Sequence, residues 1–339
     1  MADPAPSTMA DVAARAGVSI STVSSALRGS PLVSADTTVR VVQAADELRF
    51  AVSRVASSLA SGKLERIAVL LSGSLGSWFN GYLLDAIYAA LHERHQELLI
   101  YRTLSRDQRD EFFATLPARR NADALIVGSL ELTASQRQRL QDLAMPLVFV
   151  NQRRPGSVSV SVDDAAGAEV AAQHLVNLGH RRIAFVGFAH DPAARPSSAN
   201  RLAGYRRAMA AADVPAREQR VITTARAGDG TDVVGQLLGN APRPTALLVE
   251  SDELAMRVLA ALWRVGLRTP QDISIAGFDN HAMADTFGLT TMAQPVAQLG
   301  QRAADLALAL AAGQPPRRRV VTMPASLILR ATTGRPPEP

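Results

Sequence analysis

The chain has 339 residues, 47% hydrophobic and only 4% aromatic, a length that accommodates about two to three domains with cores built from Ala, Val and Leu. It contains no cysteine, which excludes disulfides, thiolate zinc sites and a cysteine nucleophile, and no apolar run approaches the ~18 residues of a membrane span. The net charge of +5 invites a nucleic-acid reading, but it lies in the body of the chain: in residues 1–65, Arg15, Arg28, Arg40, Arg49, Arg54 and Lys63 are matched by Asp3, Asp11, Asp36, Asp46, Glu47 and Glu65.

The opening Met-Ala-Asp-Pro-Ala-Pro-Ser does not resemble a signal peptide, so a soluble cytoplasmic protein is expected, with residues 1–7 disordered. From Thr8 to Leu27 the pattern predicts two short helices joined by a tight turn. Thr8 and Asp11 have the spacing of a capping box. Val12, Ala13 and Ala16 share a face, and Gly17 stands where a helix ends in a left-handed residue. Ser19 caps a second helix, Ile20 to about Leu27, whose inner face is Val23 and Leu27. Such a unit lays its second helix in the DNA major groove. An ordinary helical hairpin has similar small residues. What favours DNA is the crowd of hydroxyls (Ser19, Ser21, Thr22, Ser24 and Ser25), because serine and threonine are mediocre helix formers that suit phosphate oxygens and base edges.

The run Asp-Val-Ala-x-x-Ala-Gly-Val-Ser-x-x-Thr-Val-Ser resembles the amino-terminal signature of the LacI/GalR family of bacterial transcription regulators, and the resemblance extends to about Gly334. It implies a small all-α helix-turn-helix headpiece plus a two-lobed α/β periplasmic-binding-protein-like effector domain with parallel sheets. The expected boundaries are 8–52 for the headpiece, 53–62 for a hinge helix, 65–164 with 295–322 for one lobe, and 165–294 with 323–333 for the other. Expected DNA contacts are Thr8, Ser19, Ile20, Ser21, Ser24, Ser25, Arg28, Ser34, Ala56 and Leu59.

Further along, Gly29-Ser30-Pro31 reads as a loop and Ser34 as the cap of a third helix to about Leu48, with Val39, Val42 and Leu48 facing inward. Ser53 to Ala60 places Val55, Ala56 and Leu59 on one side but is too short for a stable isolated helix. It is either a plain linker or, as the resemblance implies, a hinge helix that folds on DNA and inserts Leu59 into the minor groove. After Arg66 the texture changes. Apolar runs at Ile67–Leu71, Leu98–Tyr101, Ala124–Val127, Leu147–Val150, Ile183–Val186, near Val221, at Ala246–Val249 and at Ile273–Ala276 alternate with helical segments, including Phe79–His95, one ending at Leu178 and 200–211. Buried strands alternating with helices mean parallel sheets, here in two successive sets.

In such sheets ligands sit outside the carboxyl ends of the strands. Those ends offer Ser72, Asn151, Ser251-Asp252 and Asp279-Asn280, with Trp78 and Phe79 just after the first strand. The resemblance adds Arg201. Carboxylates, amides and an arginine with a flanking ring are the equipment of a sugar site, and the expected ligand contacts are Ser72, Trp78, Phe79, Asn151, Arg201, Ser251 and Asp279. Asp252 is read equally as a ligand contact or a helix cap.

Enzyme signals are weak, and no catalytic residue, metal or cofactor is expected. Among His92, His95, His174, His180, His190 and His281, only His92 and His95 are expected to share a helix face, and no carboxylate cluster accompanies them. The only lysine, Lys63, forms no phosphate-binding loop, there is no Gly-x-Ser-x-Gly elbow, and Gly228-x-Gly230 lacks the rest of a dinucleotide fingerprint. A sugar-binding protein without DNA function and a sugar-modifying enzyme are the other classes considered; the headpiece argues against the first, and the second needs an acid–base pair in the cleft.

The chain departs from the family pattern at Ser25, where many members carry a base-reading arginine, and at Ile20 and Ser21. It departs again at Val52-Ser53 and Ser57 near the hinge, and at Asn151 and Ser251 in the cleft. The resulting expectation is a dimeric repressor that binds a palindromic double-stranded operator and responds to a small molecule, a sugar first and a purine or other metabolite second. The segment after Leu329 has no apolar heptad, so a dimer rather than a coiled-coil tetramer is expected.

Overall fold

The computed structural model describes residues 7–27, 30, 32–50, 63–128, 130, 132–143, 145–152, 156–189, 196–215, 219–225, 228, 230–239 and 241–338. The expectations for the first residues, for Arg28 and for the hinge stretch with Ala56 and Leu59 lie outside them. Two compact units result, Met1–Leu64 and Glu65–Pro339.

The first unit is helical. Helix α1 (Met9–Ala16) begins with a reciprocal capping box between Thr8 and Asp11, and Gly17 ends it at φ 65°, a conformation that costs glycine nothing. Helix α2 (Ile20–Leu27) follows after a two-residue turn, with Thr22 N–H donating to Ser19 Oγ at 3.1 Å. Helix α3 (Ala35–Glu47) is capped by Ser34. Val12, Val23 and Val41 are fully buried where the three helices meet, with Ala13, Ala16, Ala26, Ala44 and Ala45 around them. The expected face of α3 is corrected. Val39 and Val42 are 54% and 43% exposed, and the inward face is Val41, Ala44, Ala45 and the partly buried Leu48. That set follows i, i+3, i+4, i+7 spacing, and its alanines let α3 approach the other two helices closely.

The second unit contains two six-stranded sheets. The first is built from β1 (Arg66–Ser72), β2 (Glu97–Thr103), β3 (Ala124–Gly128), β4 (Leu147–Val150), β5 (Val158–Val162) and β11 (Val320–Met323), in the order β11-β5-β4-β3-β1-β2, with every pairing parallel. The second is built from β6 (Ile183–Phe188), β7 (Arg220–Thr224), β8 (Ala246–Val249), β9 (Ser274–Asp279), β10 (Thr290–Ala293) and β12 (Ser326–Ile328), in the order β12-β10-β9-β8-β6-β7, with only β12 antiparallel. The chain crosses between the lobes after β5, after β10 and after β11.

Helices α4 (Trp78–His92), α5 (Arg106–Thr115), α6 (Ala134–Gln141) and α11 (Val296–Ala311) belong to the first lobe; α7 (Asp164–Asn177), α8 (Pro196–Ala211), α9 (Thr231–Leu238) and α10 (Asp252–Arg264) belong to the second. Helices α7 and α8 cross at backbone contact, because a Cβ on Gly204 would strike Ala165 O and Glu169 N. Helix α4 stops at His92, and His95 sits beyond it at φ 56°, so the two histidines do not share a helix face. No group of three or more His, Cys, Asp or Glu among the described residues is placed to hold a metal, and none of the described helices is long and apolar enough to cross a membrane.

A candidate effector cleft and a candidate DNA-reading face

The carboxyl ends of both sheets converge on a cavity of about 160 Å³. Ser72 ends β1, Asn151 follows β4, Glu250 and Ser251 follow β8, Asp279 ends β9 and Gln294 follows β10. Trp78 and Phe79 come from the start of α4, and Arg201 from α8. All seven residues expected from the sequence therefore stand on the wall of one cavity. Sequence reasoning missed Glu250, Glu253, Asn80, Phe188 and Gln294, which share that wall.

Arg201 is the anchor of the site and is 8% exposed. Its Nε donates to Asp164 Oδ1 at 2.8 Å and its Nη1 to the Glu250 carbonyl. Asp279 Oδ1 lies 3.6 Å from Nη1, and the guanidinium sits 3.8 Å above the Phe278 ring. Burial works against its charge, but Asp164, Asp279 and Glu250 outweigh burial and raise its pKa. Asp279 is also buried. Burial pushes its carboxyl well above the ordinary range, with Asp252 and Glu253 adding to the rise and Arg201 and the Gln294 amide opposing it. The strand end that presents it is unusual in backbone: Asp279 and Asn280 both have positive φ, 135° and 60°.

Asn151 also adopts a left-handed backbone, at φ 54°. Its Oδ1 accepts from Val162 N–H at 3.1 Å, which fixes the amide against β5. Ser251 caps α10, its Oγ accepting from Leu254 N–H at 3.4 Å. Asp252 is not that cap and does not line the cavity. Fully buried, it accepts from Thr291 Oγ1 at 2.6 Å and from His281 N–H at 2.8 Å, tying β10 and the loop after β9 to α10. Asn280 is likewise occupied, accepting from Arg330 at 3.0 Å.

The two lobes touch across the cleft. Ser77 provides no side-chain cap for α4. Instead the Trp78 N–H donates to Glu253 Oε1, from the first turn of α10, at 3.2 Å. The Trp78 ring also lies 6.1 Å from the His281 ring. Asn80 steadies the same entry by donating to the carbonyls of Ser72 and Ser74.

In the headpiece, α2 turns Ile20, 52% exposed, and Ser21 outward. Ser19 Oγ lies 2.8 Å from both Ser21 Oγ and Thr22 Oγ1, so the hydroxyls at the helix start form one polar cluster. Thr8 and Ser34 are exposed at the starts of α1 and α3, while Ser24 and Ser25 are half-buried.

Comparison with known proteins places this arrangement. The family described as "Bacterial regulatory proteins, lacI family" matches residues 8–53, and the "Periplasmic binding protein-like domain" matches residues 172–333. The chain is 30% identical over 312 residues to the HTH-type transcriptional repressor PurR of Photorhabdus laumondii, covering 89% of each chain. Among solved structures it is similar to the lac repressor dimer bound to operator and the anti-inducer ONPF, at a TM-score of 0.85 and 27% identity over 97% of this chain and all of that one. It is also similar to a CelR–cellobiose complex, at a TM-score of 0.72 and 26% identity over 96% of this chain and 99% of that one. A DNA-binding headpiece joined to a two-lobed sensor, matched along nearly the whole chain by repressors, identifies it: this chain belongs to the LacI family of bacterial transcription repressors, DNA-binding regulators under the control of a small-molecule effector.

Proposed function

We propose that the chain acts as a homodimer on a palindromic operator and that a sugar in the cavity sets its operator affinity. The observation that carries this reading is the cavity itself, where Arg201, Asp279, Asn151 and two serines meet the rings of Trp78 and Phe79 at the carboxyl ends of both sheets. Such a wall offers hydrogen bonds to hydroxyls and an apolar face to a sugar ring. Two solved relatives with cellobiose and with bound ribose support it. A purine or other metabolite is the second reading, favoured by the likeness to repressors named PurR and by the aromatic side of the cavity.

For the DNA contacts we propose α2 as the major-groove helix, with Ile20, Ser21 and Ser25 toward base edges and Thr8, Ser19, Ser24 and Ser34 toward phosphates. Arg28, Ala56 and Leu59 complete the proposed set on sequence alone, Leu59 as a wedge in the minor groove. A second copy of the chain accounts for the exposed Tyr82 and Tyr88 on α4 and Ile100 on the edge strand β2. We propose that it works in the cytoplasm, as a DNA-binding regulator of bacteria, and not as an enzyme. A thermal-shift screen against carbohydrates and nucleosides tests the reading, since a cleft ligand stabilises by mass action. A sugar that raises the melting temperature and changes operator affinity is expected; a panel in which only purines do so replaces the sugar with the second reading.

A further inference from the structure

Exposed arginines gather at one end of the first lobe. Every pairing of its sheet is parallel, so β1, β3, β5 and β11 begin on the same edge. The chain from the headpiece enters on that edge, because the first unit ends at Leu64 and β1 starts at Arg66. A 3-10 turn, Pro117–Arg120, leads toward β3 and leaves Arg119 and Arg120 exposed. Just before β11 stand Arg317, Arg318 and Arg319, exposed as well. Arg319 is steadied by donating to the Gly156 carbonyl at 3.2 Å, ahead of β5. Strands β3 and β11 are three places apart in the sheet, which sets the two clusters roughly 14 Å apart at the usual strand spacing.

The carboxylates at this end are largely engaged. Glu97 pairs with Arg66 at 2.6 Å, and Asp305 with Arg94 at 2.9 Å. Asp123 accepts from the Arg66 N–H and Asp142 from the Gln138 amide. Glu65 and Glu93 are left over. Arg119, Arg120, Arg317 and Arg318 form no ion pair among the described residues. The residues of this lobe outside the described set bring Arg153, Arg154 and Glu131, a balance that does not reverse the sign. The segment that joins the headpiece to this edge continues it: from 49 to 63 the sequence has Arg49, Arg54 and Lys63 and no acid. Whatever the headpiece grips is therefore tethered to a basic edge. Guanidinium forks match phosphate oxygens, and double-stranded DNA carries about one negative charge per 1.7 Å of its axis.

We propose that this arginine rim is a second DNA-contacting surface, on the effector domain itself, and that it holds phosphates flanking those held by the headpiece. Its partner is the DNA backbone of any sequence, so it adds affinity rather than base selection. The separation of its two clusters is comparable with the ~12 Å width of a major groove, which lets them reach phosphates on both sides of one groove. The inference adds to the contacts proposed for the headpiece and does not depend on which effector fills the cavity.

The test is the salt dependence of DNA binding by the full chain. Fluorescence anisotropy is followed between about 50 and 200 mM salt, on a selected palindromic operator and on a random duplex of equal length. The variant combines Arg119→Gln, Arg120→Gln, Arg317→Gln, Arg318→Gln and Arg319→Gln. Each phosphate contact contributes about 0.9 to the slope of log affinity against log salt. Losing one contact per protomer of a dimer flattens the slope by about 1.8, so the fall in affinity over that range should be about tenfold smaller than in wild type. The change should be alike on both duplexes. Lysine at the same five positions should restore the slope, since a phosphate is also held by a point charge. A glutamine variant with the slope and affinity of wild type overturns the inference and makes the rim a solvated face. A loss confined to the operator, or one that lysine does not restore, overturns it too, because neither is a phosphate contact. Wild type that binds neither duplex removes the DNA function itself, a different failure. Should the five-site variant melt below wild type, the Arg119–Arg120 and Arg317–Arg319 subsets are measured separately, and a slope unchanged in both overturns the inference.

Discussion

Removing Arg201 should destabilise the protein as well as disturb the cleft. The side chain of Asp164 is 3% exposed and that of Asp279 9%, and in Arg201→Ala both carboxylates lose their buried cation. Breaking a buried ion pair by deleting one partner costs about 3–5 kcal/mol. At ~2–4 °C per kcal/mol for a domain of this size, the melting temperature should fall by roughly 6–20 °C. Circular dichroism melts of the full chain measure this. Adding Asp164→Ala to Arg201→Ala should recover part of the loss, because the orphaned carboxylate disappears, and the double-mutant cycle gives the coupling. A single variant that melts within about 2 °C of wild type, or a double variant in which the losses simply add, refutes the account of Arg201 as a structural cation. A fall in ligand affinity in Arg201→Ala therefore mixes two effects, and Asp279 is the cleaner probe. Its carboxyl is raised by burial, so the fold holds its charged form less well than the unfolded chain does. That contribution to stability is present below the unfolded carboxylate pKa and is lost as pH rises through the raised folded value. Asparagine resembles the neutral form, so at pH 7 Asp279→Asn should melt at or above wild type while losing ligand contacts.

Other expectations follow from the same structure. His180 is fully buried among Thr245 Oγ1, Ser274 Oγ and the Gly334 carbonyl, and burial pulls its pKa below 6.5, against a smaller opposing effect of the Gly334 carbonyl. Its contribution to stability is thus present above pH 6.5 and lost as pH falls; His180→Asn should flatten denaturant-measured stability below pH 6.5, and an unchanged slope argues against a buried neutral imidazole. Leu59→Ala should lose most operator-specific affinity and bending in gel-shift assays while salt-sensitive binding to any DNA persists; bending equal to wild type reduces residues 53–62 to a linker. Light scattering should give a dimer, and a stable tetramer at micromolar concentration would contradict that.

The headpiece was largely legible because its signals are local. A capping box, a left-handed glycine and a serine cap each act within four residues, and Thr8, Asp11, Gly17 and Ser19 do in the structure what their spacing predicts. The face of α3 was not, because Val39 and Val42 compete with Val41, Ala44 and Ala45, and only contact with α1 and α2 chooses between them. Strand β5, Val-Ser-Val-Ser-Val, escaped the apolar-run criterion because alternate positions are serines, yet Ser159 is fully buried and Ser161 is 4% exposed. In the cleft, residues at strand ends were readable from the rule for parallel sheets. Glu253 stands in the first turn of α10, and its contact with Trp78 spans 175 positions, beyond the reach of any local pattern. Gln294 follows β10, Thr-Thr-Met-Ala, which has too little apolar character to be read as a strand. Asp252, whose residue type suggested a ligand, was claimed instead by Thr291 and His281.

The most direct test of the central claim is the operator affinity of the full chain, measured by fluorescence anisotropy on a selected palindromic site with and without the ligand that the thermal screen identifies. Wild type should change its operator affinity at least about fivefold, the lower end of typical allosteric coupling. In Asp279→Asn the ligand response should be lost while affinity for the operator without ligand matches wild type. Operator affinity that does not move when the cavity is saturated would contradict the claim that this cleft controls DNA binding.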